Sequence, residues 1–261
     1  MTYCLGIITQ QGLIMAADSR TNAGVDYVSN AQKLFDLSKP GESVLMLCTA
    51  GNLSMTQSIM TLIRQDLKDN VDGHIHQLTS MYDVVSYIGQ KTRQVLDTNR
   101  DWMRQDHIEF NCTFLVGGQL QGESPELYMV YSQGNFLRAT KETPYLQIGE
   151  IKYGKPILDR TINFAHSTLD DAAKCALLSL DSTMKSNISV GPPIHLAMYE
   201  QDSFQLKYRC KFAEGDPYLI QLRDSWEQSV RNAFKSLPDM DWEMDDMTHP
   251  NWVLPANIYP T

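Results

Sequence analysis

Short apolar runs near the start of the chain predict a β-hairpin. Residues 2–9 (TYCLGIIT) and 12–19 (GLIMAADS) are two such runs, joined by a polar turn that ends at Gly12. Because both runs are almost continuously apolar, we expect them to be buried on both faces. Residues 33–37 and 44–51, separated by the turn SKPGES, predict a second pair of strands.

The segments between the strands have the 3.6-residue apolar spacing of amphipathic helices. This spacing predicts four helices, over residues 52–70, 81–104, 168–186 and 217–236. We expect Asn52 or Ser54 to cap the first helix and Thr168 to cap the third, because these side chains accept hydrogen bonds from free N–H groups at a helix start. The first two helices are separated only by a loop, which favours an antiparallel pair.

Five further strands are predicted, and their grouping indicates the fold class. They cover residues 112–120, 126–132, 135–140, 192–200 and 205–212. Strands that come in blocks, and do not alternate singly with helices, favour antiparallel sheets covered by helices. We therefore expect one layered α+β domain over residues 1–261, with a core sandwich at 2–212 and a C-terminal helix with an acidic, aromatic tail at 213–261.

Composition limits the classes of function. The net charge of -9 over 261 residues opposes a nucleic-acid partner, which would require a basic surface. The sequence has no apolar run long enough for a membrane helix and no secretory signal pattern, so we expect a cytoplasmic protein without a membrane partner. The five cysteines lack a CxxC spacing and are expected to be reduced core residues. No cofactor or metal ion is predicted.

Thr2 follows the initiator methionine and heads the first apolar run. Methionine is generally removed before a small residue, and its removal would give Thr2 a free α-amine beside its own hydroxyl. A hydroxyl is a weak nucleophile that needs a base, and an α-amine with a pKa near 7.7–8.0 can act as one. The alternative interpretation is that Thr2 merely begins a strand, where β-branched residues are favoured.

Several residues and blocks around this terminus resemble one known family. They are Asp18 in the paired run AADSR, Lys33 in NAQKLFDL, and Gly51 at the end of CTAG, together with the blocks FLVGGQL, IGEIKYGKPILDR and DSTMKSNISVGPPIHLAMY. The combination is similar to the β-type subunits of the proteasome, which are N-terminal nucleophile hydrolases, and within them to a bacterial subfamily. The resemblance covers about residues 2–200 and implies a four-layer αββα sandwich with two antiparallel sheets between helix layers.

The resemblance also implies roles for individual residues. Thr2 would supply the nucleophile and its amine the base, Lys33 would stabilise the alkoxide and keep the amine neutral, and Asp18 would orient Lys33. The N–H of Gly51 would donate to the oxyanion of the tetrahedral intermediate. A structural salt bridge is the alternative for Asp18 and Lys33, and a simple turn is the alternative for Gly51.

Two stretches depart from the family pattern. Where the family has a Gly-Ser-Gly-Ser run, this chain reads GEIKYG at 149–154, so the serine that supports the terminal amine has no counterpart. Glu150, Lys152 and Tyr153 either rebuild this support or form a surface loop. In SNIS at 186–189, only Ser189 matches the second family serine. Substrate contacts are expected from Thr21, Thr49 and Leu53.

The function that follows is a threonine hydrolase that cuts peptide or related amide bonds through an acyl-enzyme on Thr2. The resemblance implies self-association into a ring or open helical ring, which head-to-tail contacts can generate. Unfolded or short peptide chains would be the substrates, with an ATP-dependent unfolding partner of unknown identity. Two alternatives remain open: a non-catalytic or weakly active assembly protein of the same fold, and an amidase that acts on a small molecule.

Overall fold

The structure is a computed structural model, and it describes residues 2–23, 27–105 and 110–240. The greater part of the predicted acidic and aromatic tail, residues 241–261, lies outside these ranges. In the described residues, twelve strands, five α-helices and one short 3₁₀ helix (Ile75–Gln77) are found. The strands are β1 (Tyr3–Thr9), β2 (Gly12–Ala17), β3 (Arg20–Ala23), β4 (Tyr27–Asn30), β5 (Leu34–Asp36), β6 (Ser43–Gly51), β7 (Cys112–Leu120), β8 (Glu126–Val130), β9 (Phe136–Arg138), β10 (Tyr145–Gly149), β11 (Ile194–Glu200) and β12 (Tyr208–Phe212). The helices are α1 (Leu53–Lys68), α2 (Met81–Gln105), α3 (Lys155–Thr161), α4 (Leu169–Ser186) and α5 (Pro217–Lys235).

Ten of these strands form two antiparallel sheets. The first sheet has the order β10-β1-β2-β11-β12, and the second has the order β5-β6-β7-β8-β9. The register of β1 pairs Tyr3 with Gly149 of β10 and Cys4 with Ala17 of β2. Strands β3 and β4 form a separate two-stranded ribbon. The predicted hairpin of β1 and β2 is confirmed, and both strands are buried on both faces along almost all of their length.

The two sheets face each other, and helices cover their outer faces. One apolar cluster lies between the sheets and includes Met15 and Ala17 from the first and Met46 and Leu115 from the second. A second cluster fills the space between the second sheet and helices α1 and α2. Helix α4 packs on β1 and β2, on the other side of the first sheet, and α3 packs against α4. These layers confirm the expected αββα sandwich.

Helix starts follow the capping residues of the sequence. Asn52, not Ser54, caps α1, and its side chain accepts the Ser54 N–H at 3.0 Å. Thr168 caps α4 in a reciprocal arrangement with Asp171, which satisfies two N–H groups that the helix leaves free. No helix in the described part of the chain combines the length and the apolar character that crossing a membrane requires.

Four of the strands and α-helices were not predicted. They are β3, β4, β10 and α3. The three strands have only four or five residues each, and α3 has seven, so none carries enough apolar positions to show a period. All five cysteines are free thiols as expected, but Cys210 is exposed and is therefore not a core residue.

The chain divides into two compact units, Met1–Arg223 and Asp224–Thr261. Both sheets, helices α1 to α4 and every predicted site residue belong to the first unit. The prediction of a single domain over the whole chain stays a prediction.

Candidate active site

Asp18 lies directly after β2, is fully buried, and accepts four hydrogen bonds. Its Oδ1 accepts the N–H of Tyr3 at 3.0 Å and the ammonium of Lys33 at 2.7 Å. Its Oδ2 accepts the N–H groups of Arg20 at 3.2 Å and Gly191 at 3.1 Å. Burial raises the pKa of the Asp18 carboxyl, and the Lys33 ammonium and the backbone donors oppose that rise. The carboxylate therefore joins the N-terminal strand, the predicted lysine and the loop before β11.

Lys33 precedes β5 and is also buried. Besides its contact with Asp18, its ammonium donates to the carbonyl of Arg20 at 2.6 Å. Its own carbonyl accepts the N–H of Thr49 on β6 at 3.0 Å. A buried ammonium is costly unless it is paired and hydrogen-bonded, and both conditions are met here. The sequence predicted the pairing of Lys33 with Asp18, and the structure confirms the contact.

Thr2 is held through both polar groups of the peptide that joins it to Tyr3. The Tyr3 N–H donates to Asp18, and the Thr2 carbonyl accepts the N–H of Glu150 at 2.8 Å. Gly149 has φ +87°, and a Cβ on it would lie 1.9 Å from the Thr2 carbonyl oxygen. Glycine is therefore required at 149 for β10 to approach the N-terminal residue this closely.

The ring of Tyr3 anchors the same segment from the opposite side. Tyr3 is fully buried, and its hydroxyl hydrogen-bonds with Ser179 of α4 at 2.6 Å and with the Gln147 amide. Burial raises the pKa of the Tyr3 hydroxyl well above its usual value. Strand β1 consequently has a fixed register relative to β10 and α4, and that register sets the position of Thr2.

Gly51 is the last residue of β6 and lies at the step into α1. It has φ +108°, and a Cβ would lie 2.1 Å from the carbonyl oxygen of Asn111. The N–H of Thr49, two residues earlier, points to Lys33. Successive N–H groups of a strand alternate in direction, so the N–H of Gly51 lies on the same side of β6 as that of Thr49. The role of Gly51 as an oxyanion donor stays a prediction.

Ser189 lies in the loop between α4 and β11 and is partly exposed. Its N–H donates to the Asn187 side-chain oxygen at 2.9 Å. The same loop docks on the site through Gly191, and the Arg20 guanidinium donates to the Ile188 carbonyl at 2.7 Å. The loop that carries Ser189 is therefore attached to Asp18 and its neighbours.

The three residues predicted to contact substrate occupy different environments. The Thr21 hydroxyl is buried and has no hydrogen-bond partner among the described residues. Thr49 is buried on β6, whereas Leu53 is the first residue of α1 and is partly exposed. Cavities of about 280 and 620 Å³ are found in the described part of the chain, and neither is lined by these residues. Their role in substrate binding stays a prediction.

Glu150 is the residue at which the sequence left two interpretations open. It is 8% exposed, and its Oε2 accepts a hydrogen bond from the Asn187 side-chain amide at 3.0 Å. Lys152 and Tyr153 are exposed, so these two belong to a surface turn and Glu150 does not. Sequence reasoning missed Asn187, because an asparagine after a helix is an ordinary end residue and carries no signal of a distant partner.

Comparison with known proteins identifies relatives of the chain in the proteasome family. A family model described as proteasome subunit matches residues 2–198. Proteasome subunit beta 2 of Nitrosopumilus maritimus (strain SCM1) is 24% identical over 217 residues, which is 78% of this chain and 89% of that protein.

Solved structures of Anbu, an ancestral beta-subunit, resemble the chain more strongly. Anbu from Yersinia bercovieri is 40% identical with a TM-score of 0.86, and the match covers 93% of this chain and 100% of that one. Anbu from Hyphomicrobium sp. strain MC1 is 40% identical with a TM-score of 0.84, over 92% and 100% of the two chains. A helical assembly of the Anbu complex from Pseudomonas aeruginosa is 40% identical with a TM-score of 0.82, over 92% and 98%.

The matches agree with the bacterial subfamily that the sequence blocks indicated, and the αββα layers agree with the proteasome-type fold. The chain belongs to the proteasome subunit family, in its Anbu branch.

Proposed function

We propose that the protein is an N-terminal threonine hydrolase that cleaves peptide or related amide bonds through an acyl-enzyme on Thr2. Removal of Met1 is the first requirement, because it gives Thr2 the α-amine that acts as its base. The observation that carries the proposal is the shared carboxylate of Asp18, which accepts both the Tyr3 N–H and the Lys33 ammonium on one oxygen. This oxygen therefore connects Tyr3, the residue after the nucleophile, to the Lys33 ammonium.

The cation has two tasks in the proposed mechanism. The Lys33 ammonium stabilises the alkoxide that forms when the Thr2 hydroxyl loses its proton, and it disfavours the charged form of the α-amine. Asp18 holds Lys33 in place, and its four donors oppose the rise in its pKa that burial causes. The amine takes the hydroxyl proton, the oxygen attacks the carbonyl, and the same proton passes to the leaving amine.

The remaining parts stabilise charge and complete the deacylation step. The N–H of Gly51 donates to the oxyanion of each tetrahedral intermediate, which is worth about 3 kcal/mol in comparable sites. Ser189 completes the surroundings of Thr2 from its loop. Thr21, Thr49 and Leu53 contact the substrate. Water then attacks the acyl-enzyme and gives a proton to the α-amine. The amine passes this proton to the Thr2 oxygen as the acyl C–O bond breaks and the carboxylic acid product leaves.

We also propose self-association and a cytoplasmic location. The relative from Pseudomonas aeruginosa is described as a helical assembly, and repeated head-to-tail contacts between identical chains give either a closed ring or an open helix. Such an assembly confines the sites and admits unfolded or short peptide chains. An ATP-dependent unfolding protein is the partner that this arrangement requires for folded substrates.

Intact mass spectrometry with a peptide epoxyketone tests the proposal. This probe reacts with the hydroxyl and the free α-amine together, so it labels only a processed N-terminal threonine. We expect one adduct on wild-type protein that lacks Met1, none on Thr2→Ala, and strongly slowed labelling of Lys33→Ala.

Two results would overturn the proposal. The first is a fully processed wild-type protein that stays unlabelled while a known threonine peptidase reacts under the same conditions. This result would favour the non-catalytic assembly protein, which the replacement of the supporting serine by Glu150 also favours. The second is peptide turnover that persists in Thr2→Ala, which would exclude Thr2 as the nucleophile.

A further inference from the structure

A closed series of hydrogen bonds begins and ends at the peptide between Thr2 and Tyr3. The Thr2 carbonyl accepts the N–H of Glu150, and the Glu150 carboxylate accepts the amide of Asn187. Asn187 in turn accepts the N–H of Ser189, in the loop whose Gly191 N–H donates to Asp18. Asp18 accepts the Tyr3 N–H and closes the series. A buried carboxylate is therefore one member of the frame that surrounds the nucleophile.

Glu150 is bound directly to Thr2 through the backbone. The β1–β10 register ends at the pair Tyr3 and Gly149, and the N–H of Glu150, the next residue, donates to the Thr2 carbonyl at 2.8 Å. The Asn187 amide holds the carboxylate, so it does not extend into solvent. The charge is consequently kept close to the N-terminal residue.

In the described part of the chain, the other charged groups around Thr2 are bound to partners other than Glu150. Lys33 and Asp18 form an ion pair with each other. The Arg20 guanidinium is turned to the Ile188 carbonyl. Among the described residues, none of the ion pairs includes Glu150. Asp18, Lys33 and Arg20 also remain the same when Glu150 is changed, so a comparison of variants isolates its effect.

We propose that Glu150 is a positioning residue that, fixed by Asn187, holds a negative charge beside the α-amine of Thr2 and favours the ammonium form. This inference rests on the proposed function for its catalytic meaning. An amine can act as a base only when it is neutral, and a nearby carboxylate stabilises its charged form. At pH 7 the fraction of the α-amine that is neutral is therefore smaller than it would be with a serine at position 150. The proposed hydrolase is then restrained at neutral pH and gains activity as the pH rises.

Titration of the α-amine tests the inference without any turnover. The protein is made as a fusion that a processing protease cleaves directly before Thr2, and the folded chain is acylated briefly over a range of pH. Digestion with trypsin then releases residues 2–20, which contain no lysine, so acylation of this peptide reports the α-amine. The pH dependence of the acylation rate gives the pKa of the amine in wild type and in Glu150→Gln.

We expect Glu150→Gln to lower the pKa of the amine by about 0.5–1 unit, because it removes the charge and keeps the shape. Glu142→Gln is the matched control, since it removes a carboxylate from the exposed turn before β10 and should shift the pKa by less than about 0.2 units. The inference is refuted if the amine has the same pKa in wild type and in Glu150→Gln. It is also refuted if Glu142→Gln shifts this pKa as much as Glu150→Gln does.

Asn187→Ala tests the fixing step. We expect it to lower the pKa of the amine in the same direction as Glu150→Gln but less, and the double variant to shift it no further than Glu150→Gln alone. Shifts that add would contradict the link between the two residues. Because the titration needs no catalysis, it decides the inference even where epoxyketone labelling fails and the proposed function is lost.

Discussion

The ammonium of Lys33 and the carboxylate of Asp18 lie 2.7 Å apart, with side chains that are 6% and 0% exposed. Two charges so deeply buried depend on each other, because neither can be solvated when its partner is removed. The pair therefore has a structural role and a proposed chemical role at once. Substitutions at either residue must be judged on stability before they are judged on activity.

Lys33→Met should lower the free energy of unfolding by about 3–5 kcal/mol, the usual cost of leaving one buried charge without its partner. Urea unfolding measures this loss. The double variant Asp18→Asn/Lys33→Met removes both charges and should be more stable than Lys33→Met. If the double variant is instead the less stable of the two, the pair does not act as a buried ion pair.

The stability of Lys33→Met should also depend on pH. Without the ammonium, burial raises the pKa of Asp18 further above its unfolded value of about 4. The folded state then binds more protons than the unfolded state, so stability falls as the pH rises through this range. We expect the free energy of unfolding of Lys33→Met to be only slightly below that of wild type near pH 4–5, and the difference to be largest at neutral pH. A deficit that is constant between pH 4.5 and 7.5 would contradict this linkage.

Gly51→Ala should cost about 3 kcal/mol, because it combines a left-handed backbone with a contact of 2.1 Å to the Asn111 carbonyl oxygen. Gly41 offers a control, since it has φ +82° and no atom within 4 Å of a Cβ. Gly41→Ala should therefore cost only about 1 kcal/mol. Equal losses in denaturant unfolding would show that the close approach of Asn111, the residue before β7, to Gly51 contributes nothing.

The sequence predicted the long helices and strands and the contact between Asp18 and Lys33. It did not predict the short elements or the hydrogen bonds between distant residues that complete the site. Asp18 and Lys33 could be identified because the sequence around them resembles the β-type subunits of the proteasome. Asn187 and Gly149 could not, because their roles depend on a turn of backbone and on a partner that is distant in the chain. The burial of Glu150 was equally hidden, since β10 is too short to show an apolar period.

Tyr3→Phe removes one hydroxyl from the buried network below the nucleophile. The hydroxyl of Ser179 and the amide of Gln147 would each lose a partner, and we expect a loss of about 2 kcal/mol in the free energy of unfolding. Adding Ser179→Ala should restore part of the loss, because it removes an unsatisfied group. A thermodynamic cycle of the two single variants and the double variant measures the coupling, and fully additive losses would contradict the contact.

Self-association can be checked by measuring the mass in solution. One chain has a mass of 29.6 kDa. Light scattering coupled to size exclusion should give a multiple of this value at micromolar concentration, and electron microscopy should show closed rings or open helical particles. A monodisperse monomer across the whole concentration range would refute the assembly part of the proposed function.

The closeness of Gly149 to Thr2 has a consequence for any chain that carries extra residues at its start. Strand β1 cannot slide to absorb them, because a shift of one residue would turn the Tyr3 ring away from Ser179 and remove the Tyr3 N–H from Asp18. Additional residues must therefore extend outward from residue 2 and leave its carbonyl and its neighbours in place. An unprocessed chain would fold like the processed one and differ from it only in the chemistry of its first nitrogen.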